Sequence, residues 1–352
     1  MAPTRYRRRP RSRSSRRPDL NALPERALLD VRLCDLGLRL RGTELHARVD
    51  ALYHELQRRG LTLRPHAWLS TEWFAPDGVP GFAIPFFLAH PRLAALEQQQ
   101  MNEVEGGTEH SFRQLLRHEA GHALDSAYRL HERTRWRELF GSFNAPYHRR
   151  YQPRPHSKRF VRHLPNWYAQ SHPAEDFAET VAVWLDPGSN WRVRYRDWPV
   201  MSKLLYVDSL MREIAGVEPL VRRKDQIDPI SALTLTLGEY YEEKRRRYRL
   251  NLRRVYERDL KQLFPVRKNG HGGIDAANYL RHARPAIREL VASTTGAHRY
   301  AIDRLLRELI VRSADLNLVV SGNGAGTNGR IARGVADKVS QYLAGGHARL
   351  TR

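Results

Sequence analysis

The chain has 352 residues, of which 41% are hydrophobic and 28% charged, and its formal net charge is +22. The length favours two domains with ample core, and the composition is that of an ordinary globular protein. The single cysteine, Cys34, excludes an intramolecular disulfide and a cysteine-based zinc ribbon, so we expect a cytoplasmic protein. No apolar run reaches the roughly 18 residues that a membrane-spanning helix needs.

The net charge favours polyanionic partners: nucleic acid, an anionic membrane or an acidic protein. Part of it is concentrated in residues 1–18, which contain eight Arg residues and no acid. We interpret residues 1–19 as a disordered Arg-rich arm. Such an arm serves either solubility or attachment to a polyanion, and the sequence does not separate the two roles.

The globular part begins near residue 20. An apolar stripe over residues 43–60 predicts an amphipathic helix. Residues 61–93 are rich in aromatic and branched side chains with turn signals between them, which predicts short strands. Three prolines, Pro80, Pro85 and Pro91, should confine those strands to sheet edges. The stretch "AIPFFLAH" within this region either packs in the core or pairs with an extended substrate.

The stretch "RQLLRHEAGHALDSAY", residues 113–128, carries the main chemical signal. Apolar residues three and four apart predict a helix, on which His118 and His122 share one face and can bind one metal ion. Glu119 is rotated about 100° from His118 and can act as a general base beside the ion. The alternative is a polar, histidine-rich helix face. Gly121 is either tolerated or allows another backbone to approach closely.

A catalytic zinc site needs a third protein ligand. The predicted helix "HPAEDFAETVA" offers Glu175 as that ligand and Glu179, one turn later, as a hydrogen-bond partner for a ligand histidine. Asp125, three residues after His122, is another candidate for this second-shell role. Asp176 and His172 lie close to Glu175 in sequence and stay open as alternative ligands. The alternative for each acid is a solvated helix charge.

These motifs, "LLRHEAGHALDSAY" followed by "NWYAQSHPAEDFAETVAVWL", resemble a bacterial family of zinc-binding metallopeptidases over residues 110–186. They are more distantly similar to lethal-factor-type gluzincins. The resemblance implies one zinc ion per chain on His118, His122 and Glu175, with Glu119 as the general base. It also implies that Tyr168, seven residues before Glu175, stabilises the oxyanion. The expected fold is α+β, with a zincin-like metallopeptidase domain over residues 20–225 that acts on peptides.

Residues 226–352 are expected to form a basic, mainly helical C-terminal region. One long helix is predicted over residues 239–264, and the segment 244–268 contains eleven Lys or Arg residues and two acids. That segment is either a solvated helix face or a surface for nucleic acid or an acidic protein. The Gly-rich stretch "SGNGAGTNG" lacks the phosphate-loop pattern, which favours a plain loop.

Three functions therefore stay open. The first is a zinc-dependent metallopeptidase. The second is a basic nucleic-acid-associated binding protein with a structural or vestigial zinc site. The third is a zinc hydrolase that acts on a substrate other than a peptide.

Overall fold

The computed structural model describes residues 18–147, 154, 156–247, 257–267, 274–320 and 325–342. The chain divides into two compact units. One comprises Met1–Gln100 and Val104–Tyr241, and the other comprises Met101–Glu103 and Glu242–Arg352. Most of the predicted Arg-rich arm lies outside the described residues, and the predicted domain boundary after residue 225 stays a prediction. No helix among the described residues is long and apolar enough to cross a membrane.

The described part of the first unit is mostly helical, with one small sheet, which agrees with the predicted α+β class. Its helices are α1 Glu25–Leu29, α2 Glu44–Arg58, α3 Pro91–Met101, α4 Glu109–Tyr128, α5 Thr134–Phe140, α6 Pro173–Leu185, α7 Trp191–Arg194 and α8 Met201–Glu213. Helix α9, Leu237–Arg247, begins at the end of this unit. Short 3₁₀ helices cover Leu33–Asp35, Phe86–Ala89, Leu130–Glu132, Pro165–Gln170 and Ile230–Ala232.

The sheet consists of β1, His66–Ser70, and β2, Gly81–Pro85, which pair in parallel. Ala83 faces Trp68 on one side and forms an antiparallel bridge with Phe74 on the other. The prediction of an edge strand is therefore wrong for the middle of β2, and Pro85 is tolerated because it ends the strand. Phe86 follows in a buried 3₁₀ helix. Core packing is confirmed for Ala83, Ile84, Phe86 and Phe87. Pairing of this stretch with a substrate strand stays a prediction.

Helix α4 begins with a capping box, in which Thr108 Oγ1 accepts a hydrogen bond from the Ser111 amide and Ser111 Oγ accepts one from the Thr108 amide. Arg117 anchors its middle. The guanidinium binds Glu55 of α2 with two 2.8 Å hydrogen bonds and lies 3.1 Å from Asp186, directly after α6. The side chain of Arg117 is only 8% exposed, so this pairing also satisfies a buried charge.

Helix α6 is buried along almost its whole length and packs closely against α4. Its N-terminus has Pro173 in the first turn, where the missing amide hydrogen costs nothing. The contact with α4 is backbone to backbone at Gly121. A Cβ atom on Gly121 would lie 2.8 Å from Cα of Ala178 and 3.0 Å from its carbonyl oxygen. The close approach expected of Gly121 is thus confirmed, and it brings the two helices that carry the candidate ligands together.

The second unit has its own hydrophobic core, which includes Ile287, Val291, Ile302 and Leu305. Its described elements are α10 Glu257–Leu263, β3 Ile274–Asp275, α11 Ala276–Thr295, α12 Arg299–Asp315, β4 Val319–Val320 and α13 Ala325–Tyr342, with β3 and β4 antiparallel. Residues 248–256 of the predicted basic helix and residues 321–324 of the Gly-rich stretch lie outside the described residues. The long helix therefore stays a prediction. The plain loop is wrong for residues 325–329, which belong to α13, and stays a prediction for residues 321–324.

Candidate metal centre

Three side-chain atoms from α4 and α6 converge on one point. Oε2 of Glu175 lies 3.0 Å from Nε2 of His118 and 3.2 Å from Nε2 of His122, and the two Nε2 atoms are 3.1 Å apart. Atoms that bind a tetrahedral zinc ion at about 2.0–2.2 Å are roughly 3.3–3.6 Å from one another. An outward movement of a few tenths of an ångström would therefore admit an ion. These three residues form a group able to hold a metal ion.

The convergence follows from the two helices. His118 and His122 are one turn apart on α4, and Glu175 lies in the first turn of α6. His118 and Glu175 are buried, and the side chain of His122 is 18% exposed. These two imidazoles and the carboxylate have little access to water. Their lone pairs and negative charge must therefore be satisfied by protons or by a cation between them. The chemistry of this donor set suits zinc, which binds nitrogen and oxygen ligands.

Glu119 lies on the same helix between the two histidines and is only 5% exposed. Its Oε2 makes no hydrogen bond to any described residue. Burial raises the pKa of Glu119, although the neighbouring His118 and His122 oppose the rise. A buried carboxylate with a raised pKa and a free oxygen is suited to accept a proton during catalysis.

Glu179 lies one turn after Glu175 and contacts the outer face of His118. Its Oε1 is 3.2 Å from Nδ1 of His118, and its Oε2 accepts a 2.9 Å hydrogen bond from the amide of Leu164. This contact is an ion pair by distance and not a hydrogen bond, so the role of Glu179 in orienting the imidazole stays a prediction. The contact is the one that the spacing of the two glutamates predicted.

Tyr168 lies in the 3₁₀ helix Pro165–Gln170, and its ring centroid is 5.7 Å from that of His118. The preceding residue, Trp167, has a φ of 52°, an uncommon left-handed conformation that stores local strain and redirects the chain before the tyrosine. The structure thus brings Tyr168 against a candidate ligand. Its role in stabilising an oxyanion stays a prediction.

The other candidate residues do not join the cluster. Asp125 Oδ2 lies 2.7 Å from Nδ1 of His131, and no described contact joins Asp125 to a candidate ligand histidine. Nε2 of His172 faces the carbonyl oxygen of Ala145 at 2.8 Å. Asp176 forms a buried ion pair with Lys203. The second-shell role of Asp125 therefore gains no support from a contact, and neither His172 nor Asp176 replaces Glu175.

Sequence reasoning missed one residue at this centre. The hydroxyl of Tyr147 donates a 2.8 Å hydrogen bond to Oε1 of Glu175, the oxygen that does not face the histidines. Burial raises the pKa of Tyr147, and the charge of Glu175 raises it further, so the phenol stays protonated and donates. Tyr147 lies 28 positions before Glu175 in a Pro-rich, irregular stretch, where no periodicity marks it.

One segment of the chain matches a known protein family. Residues 97–189 match the family model described as "Putative zinc-binding metallo-peptidase". The match contains α4, α6, the three candidate ligands, Glu119, Glu179 and Tyr168, and it confirms the resemblance inferred from the motifs. No curated protein and no solved structure matches the chain.

Metal binding at this centre is expected to release protons. Burial lowers the pKa of His118, but the adjacent carboxylates of Glu175 and Glu179 outweigh this and raise the pKa to about 10. The metal-free protein should therefore hold a proton on His118 at neutral pH, and an ion must displace it. We expect zinc affinity to rise about tenfold per pH unit for each proton released between roughly pH 6 and 8.

Calorimetric titration with zinc in buffers of different ionisation enthalpy measures the number of protons released. At least one proton per zinc ion is expected at neutral pH. Above the raised pKa of His118 the metal-free site is already deprotonated, so the pH dependence should level off there. A zinc affinity that is constant across the neutral range would contradict this prediction.

Proposed function

We propose that the chain is a zinc-dependent peptidase with a zincin-like site. The observation that carries the proposal is the convergence of His118, His122 and Glu175 beside Glu119, whose Oε2 has no hydrogen-bond partner among the described residues. The family match over residues 97–189 supports zinc as the metal and peptides as the substrate class. It also favours a peptidase over a zinc hydrolase of another specificity, which the ligand set alone does not separate.

In this proposal His118, His122 and Glu175 hold one zinc ion, and Glu179 keeps the His118 imidazole oriented. A bound zinc ion would polarise the scissile carbonyl and lower the pKa of a water molecule. Glu119 accepts a proton from the attacking water and then donates it to the leaving amine nitrogen. Tyr168 donates a hydrogen bond to the oxyanion of the tetrahedral intermediate.

The alternative function, a nucleic-acid-associated binding protein, rests on the Arg-rich arm and on the basic segment 244–268. Residues 1–17 and 248–256 lie outside the described residues. Polyanion binding by these segments therefore stays a prediction. It is compatible with the peptidase proposal, because the segments and the metal centre involve different residues.

The metal content of Glu175→Ala tests the ligand set. Wild-type protein dialysed against trace zinc should contain about one zinc ion per chain, because three protein ligands suffice for a catalytic site. The variant should lose most of it, since it keeps two of the three ligands. Elemental analysis by mass spectrometry measures the ratio.

Glu138→Ala is the matched control, because Glu138 is an exposed carboxylate of α5 that pairs only with Arg135 among the described residues. This variant should keep the wild-type zinc content. Full zinc content in Glu175→Ala would reject Glu175 as the third ligand. No zinc in the wild type would reject the proposed function.

A further inference from the structure

The two oxygens of the Glu175 carboxylate have different partners. Oε2 faces His118 and His122 at 3.0 and 3.2 Å, whereas Oε1 accepts the 2.8 Å hydrogen bond from the hydroxyl of Tyr147. A carboxylate free to rotate can bind a metal ion with one oxygen or with both. A hydrogen bond to one oxygen favours binding through the other, because the donor fixes the rotation of the carboxylate and competes with the ion for the electron density of the hydrogen-bonded oxygen.

Tyr147 is itself held in place by His172. The two rings stack with centroids 3.8 Å apart and planes inclined by 10°. Nε2 of His172 is 2.8 Å from the carbonyl oxygen of Ala145, and Nδ1 accepts a hydrogen bond from the amide of Ala174. These partners assign the proton to Nε2. One imidazole thus fixes both the segment that carries Tyr147 and the first turn of α6, which carries Glu175.

The other end of the same segment is also anchored. Residues 142–147 begin after Gly141, which ends α5 with a φ of 111°. The ring of Phe143 stacks on His131 with centroids 4.0 Å apart, and His131 is fixed by its 2.7 Å contact with Asp125. Two imidazole–aromatic stacks therefore hold residues 142–147. Packing therefore contributes to the position of the Tyr147 hydroxyl, in addition to the hydrogen bond with Glu175.

We propose that Tyr147 is a positioning residue of the metal centre, whose hydroxyl holds Oε1 of Glu175 so that the carboxylate offers the metal one oxygen. This proposal rests on the metal site of the proposed function. Its consequence is chemical, since a carboxylate that binds through both oxygens fills a position that a catalytic site keeps open for water and substrate.

Tyr147→Phe tests the proposal, because it removes only the hydroxyl and keeps the ring that stacks on His172. The side chain of Tyr147 is partly exposed, so the variant should fold. Zinc affinity, measured by competition with a chromophoric chelator, should fall about 10- to 100-fold, as for other losses of a hydrogen bond to a metal ligand. The visible spectrum of the Co²⁺-substituted protein should also change, because release of Oε1 alters the number of ligand atoms around the ion.

Tyr53→Phe is the matched control. It removes a half-buried tyrosine hydroxyl that donates a 2.6 Å hydrogen bond to the carbonyl oxygen of Pro65. Tyr53 lies far from the candidate ligands in sequence and has no described contact with them. This variant should bind zinc as the wild type does and show the wild-type cobalt spectrum. Any loss of stability common to both variants is thereby separated from an effect on the metal.

Wild-type zinc affinity in Tyr147→Phe, or an unchanged cobalt spectrum, would overturn the proposal. Tyr147 would then only pack beside the metal centre. A wild-type protein that binds no metal would overturn both this proposal and the proposed function. Peptidase activity does not enter either measurement. A protein that binds zinc but cleaves no peptide would therefore refute the proposed peptidase activity. The zinc affinity and cobalt spectrum of Tyr147→Phe would still test the role of Tyr147.

Discussion

Glu119→Gln should keep its zinc and lose its peptidase activity. General acid–base catalysis by a positioned carboxylate contributes about 10²- to 10⁴-fold to a rate, and an amide of the same shape cannot accept the proton. The substitution should not harm the fold. Gln has the shape of the buried Glu119 side chain, and Oε2 of Glu119 has no hydrogen-bond partner to lose among the described residues. Burial disfavours the charge that Gln removes, and His118 and His122 favour it, so we expect little change in stability.

Two measurements on the same preparation check this expectation. Elemental analysis gives the zinc content, and turnover of a mixture of fluorescence-quenched peptides gives the activity. Glu109→Gln is the matched control, since Glu109 is an exposed acid in the first turn of the same helix and pairs with Arg48 and Arg113. Retained turnover in Glu119→Gln at full zinc content would reject Glu119 as the general base. Loss of zinc in that variant would instead show that Glu119 helps to hold the ion.

The parts of this site that could be predicted are those set by helix periodicity. His118 and His122 lie four residues apart, as do Glu175 and Glu179, so each pair was expected to share a helix face. Placing both pairs at one point required the packing of α4 on α6, and periodicity contains no information about that packing. The resemblance to a metallopeptidase family suggested it, and Gly121 supplied a physical hint.

The contacts that could not be predicted from the sequence involve residues in irregular segments of the backbone. Tyr147 reaches Glu175 from a stretch without periodicity, and its place depends on stacking against His172. Asp125 was expected to turn toward His122, its neighbour on the helix. Helix α4 instead ends in a left-handed turn at Arg129, with a φ of 50°, and that turn returns His131 to within 2.7 Å of Asp125.

The sheet shows a similar limit. Turn signals between residues 70 and 81 suggested adjacent short strands and a sheet edge, yet β1 and β2 run parallel. The chain folds back so that Phe74 forms a bridge with Ala83 on the second side of β2. Proline positions indicated where strands begin and end, but they could not show which strand is central.

Gly121→Ala should destabilise the first unit and weaken metal binding together. The added methyl group would lie 2.8 Å from Cα and 3.0 Å from the carbonyl oxygen of Ala178, and backbone atoms cannot move aside as the end of a flexible side chain can. Overpacking of this kind costs about 1–3 kcal/mol, which exceeds the roughly 1 kcal/mol that alanine gains over glycine in a helix. The helices must therefore separate, and with them the ligand histidines and Glu175.

A Gly→Ala substitution at a helix position with free space should change the free energy of unfolding in the opposite direction, and it supplies the control. Gly329 lies within α13, and a Cβ atom there would meet no atom of the described residues within 4 Å, apart from the helix's own backbone. Gly329→Ala should therefore raise the free energy of unfolding by up to about 1 kcal/mol and leave zinc affinity unchanged. Chemical denaturation and chelator competition measure the two quantities. A Gly121→Ala protein that is as stable as the wild type and binds zinc as tightly would show that α4 and α6 do not need this contact to align the ligands.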